Sequence, residues 1–336
     1  KSIYEKNKHG WFDMTEHPEK YEALLAGHYS DSNHFVYELL QNAEDEKATK
    51  VVIEYFQDKL IFYHNGEPFD EKDVIGVSSM LMGTKDKTSG QTIGRFGMGF
   101  KSVFKYTYQP EIYSDNDAFR IESYLLPVEI TDKMSPEKEK ENLNERMSGK
   151  GGFIPFSRED HITKIVIPFL KRKEDGTVIH VSGSDVLEKL ERLDGEILLF
   201  LSSIKNLFWI DRTAYRYSMI TLKEDESDKR LITCGKEEIS KYLRFTKRFD
   251  HKEMSDAEVS VAYRLNSRGD NINELKNTDI CVYFPTRDNT NLPFLIHGSF
   301  ETAVSREKLM KPSRFNDDLF DKLGDLIAES MLTLRD

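Results

Sequence analysis

The stretch that decides the fold reads Ile93-Gly94-Arg95-Phe96-Gly97-Met98-Gly99-Phe100-Lys101-Ser102. Its three glycines follow the spacing G-x-x-G-x-G, which gives a backbone able to bend around a phosphate group. An apolar run follows at once and predicts a helix that continues over 101–106. The free N–H groups and the positive dipole end at such a helix start attract an anion. The stretch is therefore a candidate phosphate-binding loop, although the same spacing also occurs in turns that serve only packing.

A helix is predicted over residues 34–47, upstream of the glycines, behind the N-cap cluster Ser30-Asp31-Ser32-Asn33. Its apolar stripe, at spacings of three, four and seven, consists of Phe35, Val36, Leu39, Leu40 and Ala43. Glu38, Asn42 and Asp45 share a narrow polar stripe roughly 120° from the centre of the apolar one. Glu38 is a candidate general base for a water that attacks a phosphate, and Asn42 offers a neutral oxygen to Mg²⁺. A solvated polar face is the alternative, but the helix and the glycine stretch together predict an ATP site.

The other common nucleotide-binding motifs do not fit this sequence. A Walker loop, G-x-x-x-x-G-K-[ST], is absent. The dinucleotide fingerprint lacks its strand–glycine–helix order and the acidic residue that should follow it. The protein-kinase loop fails because neither H-R-D nor D-F-G comes after the glycines.

Composition bounds the class of protein. Of 336 residues, 38% are hydrophobic and 32% charged, which is typical of a globular chain long enough for two domains. The formal charge of −11 argues against a chain-wide reader of nucleic-acid phosphates, so no nucleic-acid partner is predicted. The two cysteines, Cys234 and Cys281, favour a reducing, cytoplasmic compartment over a disulfide framework. The longest apolar run, 197–201, is far too short to span a membrane, and the start at Lys1 leads us to expect a piece of a longer protein.

Helix and strand patterns mix without regular βαβ alternation, which predicts an α+β fold in both halves. The predicted helices lie at 18–25, 34–47, 73–82, near 183–203 and at 315–334. The predicted strands lie at 51–55, 60–63, 110–114, 119–126, 162–169, 206–211, 259–265 and 280–284. A polar lid is predicted over 83–96, and a charged surface insertion over 131–158, helical in its middle and flexible after it. The charged turn 171–176 is the predicted boundary between one domain over 1–175 and another over 176–336.

Five motifs occur in the order that is typical of one ATPase superfamily: Glu38–Asn42, His64-Asn65-Gly66, Gly83-Thr84-Lys85, Gly94–Ser102 and Thr163–Ile167. The chain resembles the GHKL ATPases, which include gyrase, the ninety-kilodalton heat-shock chaperone, histidine kinases and MutL. Its helix and glycine motifs look most like the sacsin and heat-shock-chaperone branch. The resemblance covers about residues 34–170 and implies the Bergerat fold, an α/β sandwich with ATP between the helical layer and a lid. It also implies a transducer-like second domain.

The resemblance implies a role for each matching residue. Glu38 resembles the family's general base, Asn42 its Mg²⁺ ligand and Asp45 a carboxylate below the nucleotide. Thr163 matches the threonine that helps to fix the adenine end through a water molecule. Phosphates would be held by the glycine motif and its backbone N–H groups, that is by Gly94, Arg95, Phe96, Gly97, Met98, Gly99 and Phe100.

One departure from the family pattern lies at the base end of the implied site. The family's D-x-G-x-G places an aspartate under the adenine amino group, whereas this chain has His64-Asn65-Gly66-Glu67-Pro68. Gly66 keeps the first glycine of the motif, but the acidic anchor is missing. An unprotonated nitrogen of His64 would accept from the amine, or Asn65 would substitute for the aspartate.

Three cationic residues are candidates for contact with the phosphates. Lys85 and Lys101 would add positive charge, with solvated surface lysines as the alternative. Ser305-Arg306-Glu307-Lys308-Leu309 looks like the middle-domain catalytic loop of the heat-shock chaperone, whose arginine reaches the γ-phosphate. Arg306 would sense a triphosphate in this way, with an ordinary surface arginine as the alternative. Met310 stands where the chaperone has a glutamine.

The favoured interpretation is an Mg²⁺-dependent ATPase that turns over slowly and drives a conformational switch in a larger protein. ATP and ADP are the expected ligands, with an ATP-dependent homodimer and further domains of the same protein as partners. Chaperones, DNA-remodelling proteins and bacterial immune effectors use such modules. A nucleotide-gated binding module with little turnover is the main alternative. A histidine kinase would need a dimerisation helix before residue 34, and a topoisomerase would need an acidic cleavage domain that this chain lacks.

Overall fold

The computed structural model describes residues 34–78, 99–173, 175–225, 231–235, 239–303 and 307–335. The predictions for the helix at 18–25 and the lid at 83–96 lie outside these residues. The chain divides into two compact units. The first holds the described residues up to Leu193 together with Ser203–Met219, and the second holds Asp194–Ser202 and the described residues from Ile220 onward.

The first unit is built on one mixed sheet. Its helices are α1 (His34–Asp45), α2 (Glu71–Ser78), α3 (Pro136–Met147) and α4 (Ser184–Glu191), with a 3₁₀ helix at Phe100–Lys105. Its strands are β1 (Lys50–Tyr55), β2 (Lys59–His64), β3 (Glu111–Ser114), β4 (Asp117–Glu122), β5 (Leu126–Glu129), β6 (Thr163–Pro168), β7 (Leu170–Arg172), β8 (Val178–His180) and β9 (Asn206–Asp211). The strand order is β9-β1-β2-β6-β3-β4-β5, and all neighbours are antiparallel except β9 and β1. The predicted hairpin of β1 and β2 is confirmed.

Both faces of this sheet are covered, which is why β1 is buried from Val51 to Tyr55. One face leads to α1 through a chain of aromatic contacts, from Tyr55 to Phe169, Tyr106 and Phe35, with ring centroids 5.1–6.0 Å apart. The predicted apolar stripe of α1 is buried throughout. Helix α1 is therefore fixed on one side of the sheet, and its polar flank is held in place with it.

The segment 131–158 covers the opposite face. Its predicted helix is confirmed as α3, which begins after Ser135, whose hydroxyl accepts a hydrogen bond from the Lys138 N–H. The expectation of a surface insertion is wrong for the part of this segment that packs in the core, and the flexibility expected after the helix stays a prediction. Leu143, Met147 and Phe156 are buried in a core with residues of β1, β2 and β9. This core closes the face of the sheet that α1 leaves uncovered.

The second unit is a mostly antiparallel sheet on which a long helix packs. Its strands are β10 (Arg216–Glu224, whose first residues still belong to the first unit), β11 (Leu231–Gly235), β12 (Ile239–His251), β13 (Met254–Leu265), β14 (Asp279–Val282), β15 (Phe284–Asn289) and β16 (Leu295–Gly298). Their order is β15-β14-β16-β13-β12-β11-β10, and only β14 and β16 are parallel. Helix α5 (Arg314–Arg335) packs on this sheet through Phe315, Leu319 and Leu323. The predicted helix at 315–334 and the α+β class are confirmed.

The division between the units differs from the predicted boundary. The charged turn at 171–176 lies inside the first unit, between the paired strands β7 and β8. The first unit extends to Met219 because β9 pairs in parallel with β1, from Lys50 opposite Asn206 to Tyr55 opposite Asp211. Among the helices of the described residues, none has both the length and the apolar character needed to cross a bilayer.

Candidate nucleotide site

Helix α1 places the predicted acid and amide in the interior. Glu38 is 5% exposed and Asn42 is 8% exposed, so the alternative of a solvated polar face is wrong for both residues. They lie one helical turn apart on the flank that the apolar stripe leaves free. Asp45, at the last residue of the helix, is half-buried.

The Glu38 carboxylate lies directly against Gly99, the last glycine of the glycine stretch. A Cβ atom at Gly99 would be 1.7 Å from Oε2 and 2.4 Å from Cδ of Glu38. The glycine therefore provides space for the carboxylate. The two stretches that the sequence singled out meet at this point, although fifty or more residues separate them along the chain.

The residues after Gly99 form a 3₁₀ helix where an α-helix was predicted. Ser102 stabilises its start, because its hydroxyl donates to the Gly99 carbonyl at 2.6 Å. Phe100 is buried behind the turn. Gly94, Arg95, Phe96, Gly97 and Met98 lie outside the described residues, as do Lys85 and Arg306, so their predicted roles stay predictions.

Lys101 has a different environment from either one predicted. It is buried, so the alternative of a solvated surface lysine is wrong. Its Nζ donates to the Val77 carbonyl at 2.7 Å and to the Tyr124 carbonyl, and it lies over the Phe104 ring. Burial lowers the pKa of the Lys101 ammonium to about 7. This geometry argues against a phosphate contact, because the side chain already holds the end of α2 and the turn after β4.

Asn65 does not replace the missing aspartate. Its Oδ1 accepts from the backbone N–H groups of Thr49 and Lys50, both at 2.8 Å. Its Nδ2 donates to Thr49 Oγ1 and to Asp160 Oδ1, both at 2.9 Å. Since these bonds occupy both ends of the amide, the expectation that Asn65 would bind the adenine amine is corrected to a structural role.

Gly66 fixes the loop after β2 against the end of α1. A Cβ atom at this position would be 2.5 Å from the Glu46 carbonyl oxygen and 3.0 Å from the Ala48 nitrogen. The next residue, Glu67, donates its N–H to the same Glu46 oxygen at 2.7 Å. The loop that carries His64 and the helix that carries Asn42 are therefore held together by close backbone contact.

His64, Thr163 and Ser114 form a polar row across three neighbouring strands. The register pairs His64 with Thr163 and Thr163 with Ser114, which puts the three side chains on one face. This face is the one toward α1, because His64 pairs with Val51, which lies on the same face of β1 as Tyr55. Thr163 Oγ1 and Ser114 Oγ are 2.8 Å apart, and Ser114 Oγ accepts from the Phe69 N–H. Ser114 was missed by sequence reasoning, although it ends a predicted strand.

The ring of His64 is almost completely enclosed. It is 2% exposed, and its Nδ1 accepts the Gly66 N–H at 3.2 Å. Burial lowers the pKa of the imidazole to about 4, so the ring is neutral at pH 7. The unprotonated nitrogen that was expected to accept from an amine is thus already occupied by the backbone.

Two carboxylates near the end of α1 were also missed. Glu44 is buried, and its carboxylate accepts from the N–H groups of Ser203 at 2.7 Å and Ile204 at 2.9 Å. Burial, followed by the charges of Asp73 and Asp45, raises the pKa of Glu46 to about 7. The helix that carries the candidate catalytic residues is therefore held at its end by side-chain and backbone bonds.

Comparison with known proteins bears on this arrangement. Residues 52–214 match the family model of the Sacsin domain. The match includes His64, Gly99, Lys101 and Thr163, and it ends in the first unit. Protein NO VEIN of Arabidopsis thaliana is 24% identical over 323 residues, which cover 90% of this chain and 11% of that protein. Sacsin of Homo sapiens is 34% identical over 106 residues, which cover 26% of this chain and 2% of that protein.

The Sacsin-domain match and these two relatives confirm the predicted resemblance to the sacsin-like branch. The chain spans only a small part of either relative. Two solved structures are also similar. The B-subunit of DNA gyrase from Myxococcus xanthus has a TM-score of 0.49 at 10% identity, over 95% of both chains. The N-terminal domain of a DNA repair protein has a TM-score of 0.43 at 14% identity, over 92% of this chain and 98% of that one.

Proposed function

We propose that this chain is an ATP-binding module that hydrolyses ATP slowly and uses the nucleotide to switch the conformation of a larger cytoplasmic protein. The observation that carries the proposal is the contact between the Glu38 carboxylate and Gly99. A buried acid beside the last glycine of a phosphate-loop motif is the arrangement that nucleotide hydrolysis needs. The Sacsin-domain match over the same unit supports it.

The residues of α1 fit a magnesium–nucleotide complex. Asn42 would give its side-chain oxygen to the ion, which prefers hard oxygen ligands and keeps several waters. Magnesium, when bound, would neutralise charge on the phosphates. The Glu38 carboxylate takes the space beside Gly99, and a side chain at that position would displace it. We infer that the N–H groups of the Gly94–Gly99 segment hold the phosphates, and that Asp45 and Thr163 contribute at the base end.

In this proposal Glu38 is the general base. Its carboxylate would orient a water and take its proton as that water attacks the terminal phosphate. Its burial excludes bulk solvent from this carboxylate and keeps it in one geometry, which favours a fixed in-line water. On the sequence resemblance alone, we propose that Arg306 stabilises the charge on the transferring group and that pairing of two copies follows nucleotide binding.

The test is calorimetry with a non-hydrolysable ATP analogue and Mg²⁺, followed by a phosphate-release assay. We expect Glu38→Gln to bind the analogue like the wild type and to lose about 100-fold or more in turnover, the usual value of a general base. We expect Asn42→Ala to weaken binding only when Mg²⁺ is present. Glu141→Gln is the matched control, because this carboxylate on α3 is two-thirds exposed.

The possible results separate the proposal from its rival. Absence of analogue binding by the wild type would refute the site itself. Binding that depends on Asn42, with phosphate release at background in both the wild type and Glu38→Gln, would leave a nucleotide-gated binding module. Acid-labile label transferred from ATP to the protein would favour a kinase.

A further inference from the structure

The hydrogen bonding of His64 fixes which of its ring nitrogens carries the proton. The Gly66 N–H can only donate, so Nδ1, at 3.2 Å, must accept and is unprotonated. The buried ring is neutral at pH 7. Its single proton is therefore on Nε2, which makes that nitrogen a hydrogen-bond donor.

Within the described part of the chain, Nε2 of His64 has no hydrogen-bond partner. The neighbouring hydroxyls of Thr163 and Ser114 bond to each other, and Ser114 also accepts from Phe69. The Phe62 ring lies 6.2 Å away and offers no acceptor in its plane. Nε2 is not among the fully enclosed unpaired polar atoms of the described residues, so this donor lies open to an acceptor that water or a ligand supplies.

The backbone around His64 keeps the ring in this state. Gly66 packs closely against the Glu46 carbonyl, which restrains the loop that brings its N–H to Nδ1. Glu67 adds a second bond to the same carbonyl. Strand β2 is held on both sides, by Val51 of β1 and by Thr163 of β6. Neither nitrogen can exchange its role without a change in this loop.

We propose that His64 donates a hydrogen bond to the base of the nucleotide, so that the site takes a 6-oxopurine nucleoside triphosphate at least as tightly as ATP. The inference rests on the proposed function, with His64 at the position where the sequence resemblance implies an aspartate under the adenine amino group. An aspartate accepts from a 6-amino group, whereas a donor faces it unfavourably and pairs with a 6-oxo group. His64 would thus be a specificity-determining residue that relaxes or reverses the preference for adenine.

The experiment compares ATP with ITP, which differs in carrying an oxygen at position 6 and a proton on the adjacent ring nitrogen. Dissociation constants are measured by calorimetry with Mg²⁺ on the full chain. We expect ITP to bind as tightly as ATP or more tightly. His64→Asp, which supplies an acceptor, should favour ATP by about tenfold or more, the equivalent of one lost hydrogen bond. His64→Gln, with both a donor and an acceptor, should bind the two nucleotides about equally.

A second measurement requires no ligand, and it does not require that a carboxylate be introduced into the core. Two-bond ¹H–¹⁵N spectra of histidine-labelled protein report the tautomer of each ring, with His64 assigned by its loss in His64→Gln. We expect a neutral ring protonated on Nε2 between pH 6 and pH 8. A proton on Nδ1, or a charged ring, would overturn the proposal even if His64→Asp fails to fold.

The inference and the proposed function fail in different ways. If ATP binds in a manner that depends on Asn42 but exceeds ITP tenfold or more in affinity, the role of His64 is wrong and the ATP site stands. If that preference disappears in Asp45→Asn, the acceptor for the amine is Asp45. If neither nucleotide binds, both the ATP site and the role of His64 are refuted.

Discussion

Gly99→Ala is the substitution that tests the site most directly. Gly99 has φ −62° and ψ −45°, a conformation that alanine adopts without strain. The substitution therefore changes only the space beside the glycine. Its Cβ would lie 1.7 Å from Glu38 Oε2, whereas real Cβ atoms essentially never approach another heavy atom closer than 3.0 Å. The carboxylate must shift by about 1.3 Å or more, because it is the flexible end of a side chain and the backbone is held by Ser102.

The expected loss of turnover follows from this displacement of the carboxylate. A catalytic group that is misplaced by about 1 Å costs on the order of 100-fold in rate, or about 2.7 kcal/mol of transition-state stabilisation. The free energy of unfolding should rise or stay the same, because replacing glycine by alanine at a compatible position stabilises the protein by about 0.4–1 kcal/mol. The expected signature is a variant that folds as well as the wild type, binds the nucleotide, and releases phosphate about 100 times more slowly.

The assay is phosphate release under saturating ATP, with thermal unfolding and analogue binding measured on the same preparation. Gly324→Ala is the matched control, because it adds the same methyl group in α5, where nothing lies within 4 Å. It should raise stability by about 1 kcal/mol and leave turnover unchanged. Wild-type turnover in Gly99→Ala would refute the reasoning, because it would show that Glu38 acts from another position or not at all.

Two further predictions concern the end of α1. Glu44→Gln should lower the free energy of unfolding by about 2 kcal/mol, because the N–H groups of Ser203 and Ile204 lose a charged acceptor. The measurement is unfolding in urea. A loss below about 0.5 kcal/mol would show that these bonds are dispensable. Glu46 is protonated more readily in the folded state, since burial raises its pKa from 4.5 to about 7. The wild type should therefore lose stability as the pH rises from 4.5 to 7, and Glu46→Gln should remove that part of the loss. Identical pH profiles for the two proteins would contradict the raised pKa.

Much of the fold was predictable because its signals are local. The stripe of α1 repeats within one helix and buries every one of its residues. The parallel pairing of β9 with β1 was not predictable, because its partners lie about 150 residues apart and no turn joins them. The inner face of α3 was missed for another reason. Leu143 and Met147 are two apolar residues in a charged stretch, and their spacing of four is the only trace of the core they form.

The candidate site shows the same contrast. Glu38 and Gly99 were singled out separately, each by its own motif, and the structure brings them into contact. Asn65 stands in a motif position, yet its amide is used up by two backbone N–H groups and two side chains. Glu44 stands next to a motif and bonds to backbone N–H groups far along the chain. A bond to backbone leaves no mark on the partner's residue type, so sequence reasoning has no signal for it.

Helix α1 brings these observations together. Its apolar stripe is buried, its flank carries Glu38 and Asn42, and its end is tied to two other segments. Glu46 holds the loop of His64 through its carbonyl, and Glu44 holds the chain just before β9 through its carboxylate. Glu38 and Glu46 are eight residues apart, or about 12 Å along the helix axis. A nucleotide that contacts both the glycine stretch and the loop of His64 would therefore lie along α1 from Glu38 to the C-terminal end of the helix. Any shift of the helix on binding must also change the bonds of Glu44, and exchange of the Ser203 and Ile204 amide protons is where that change would be measured.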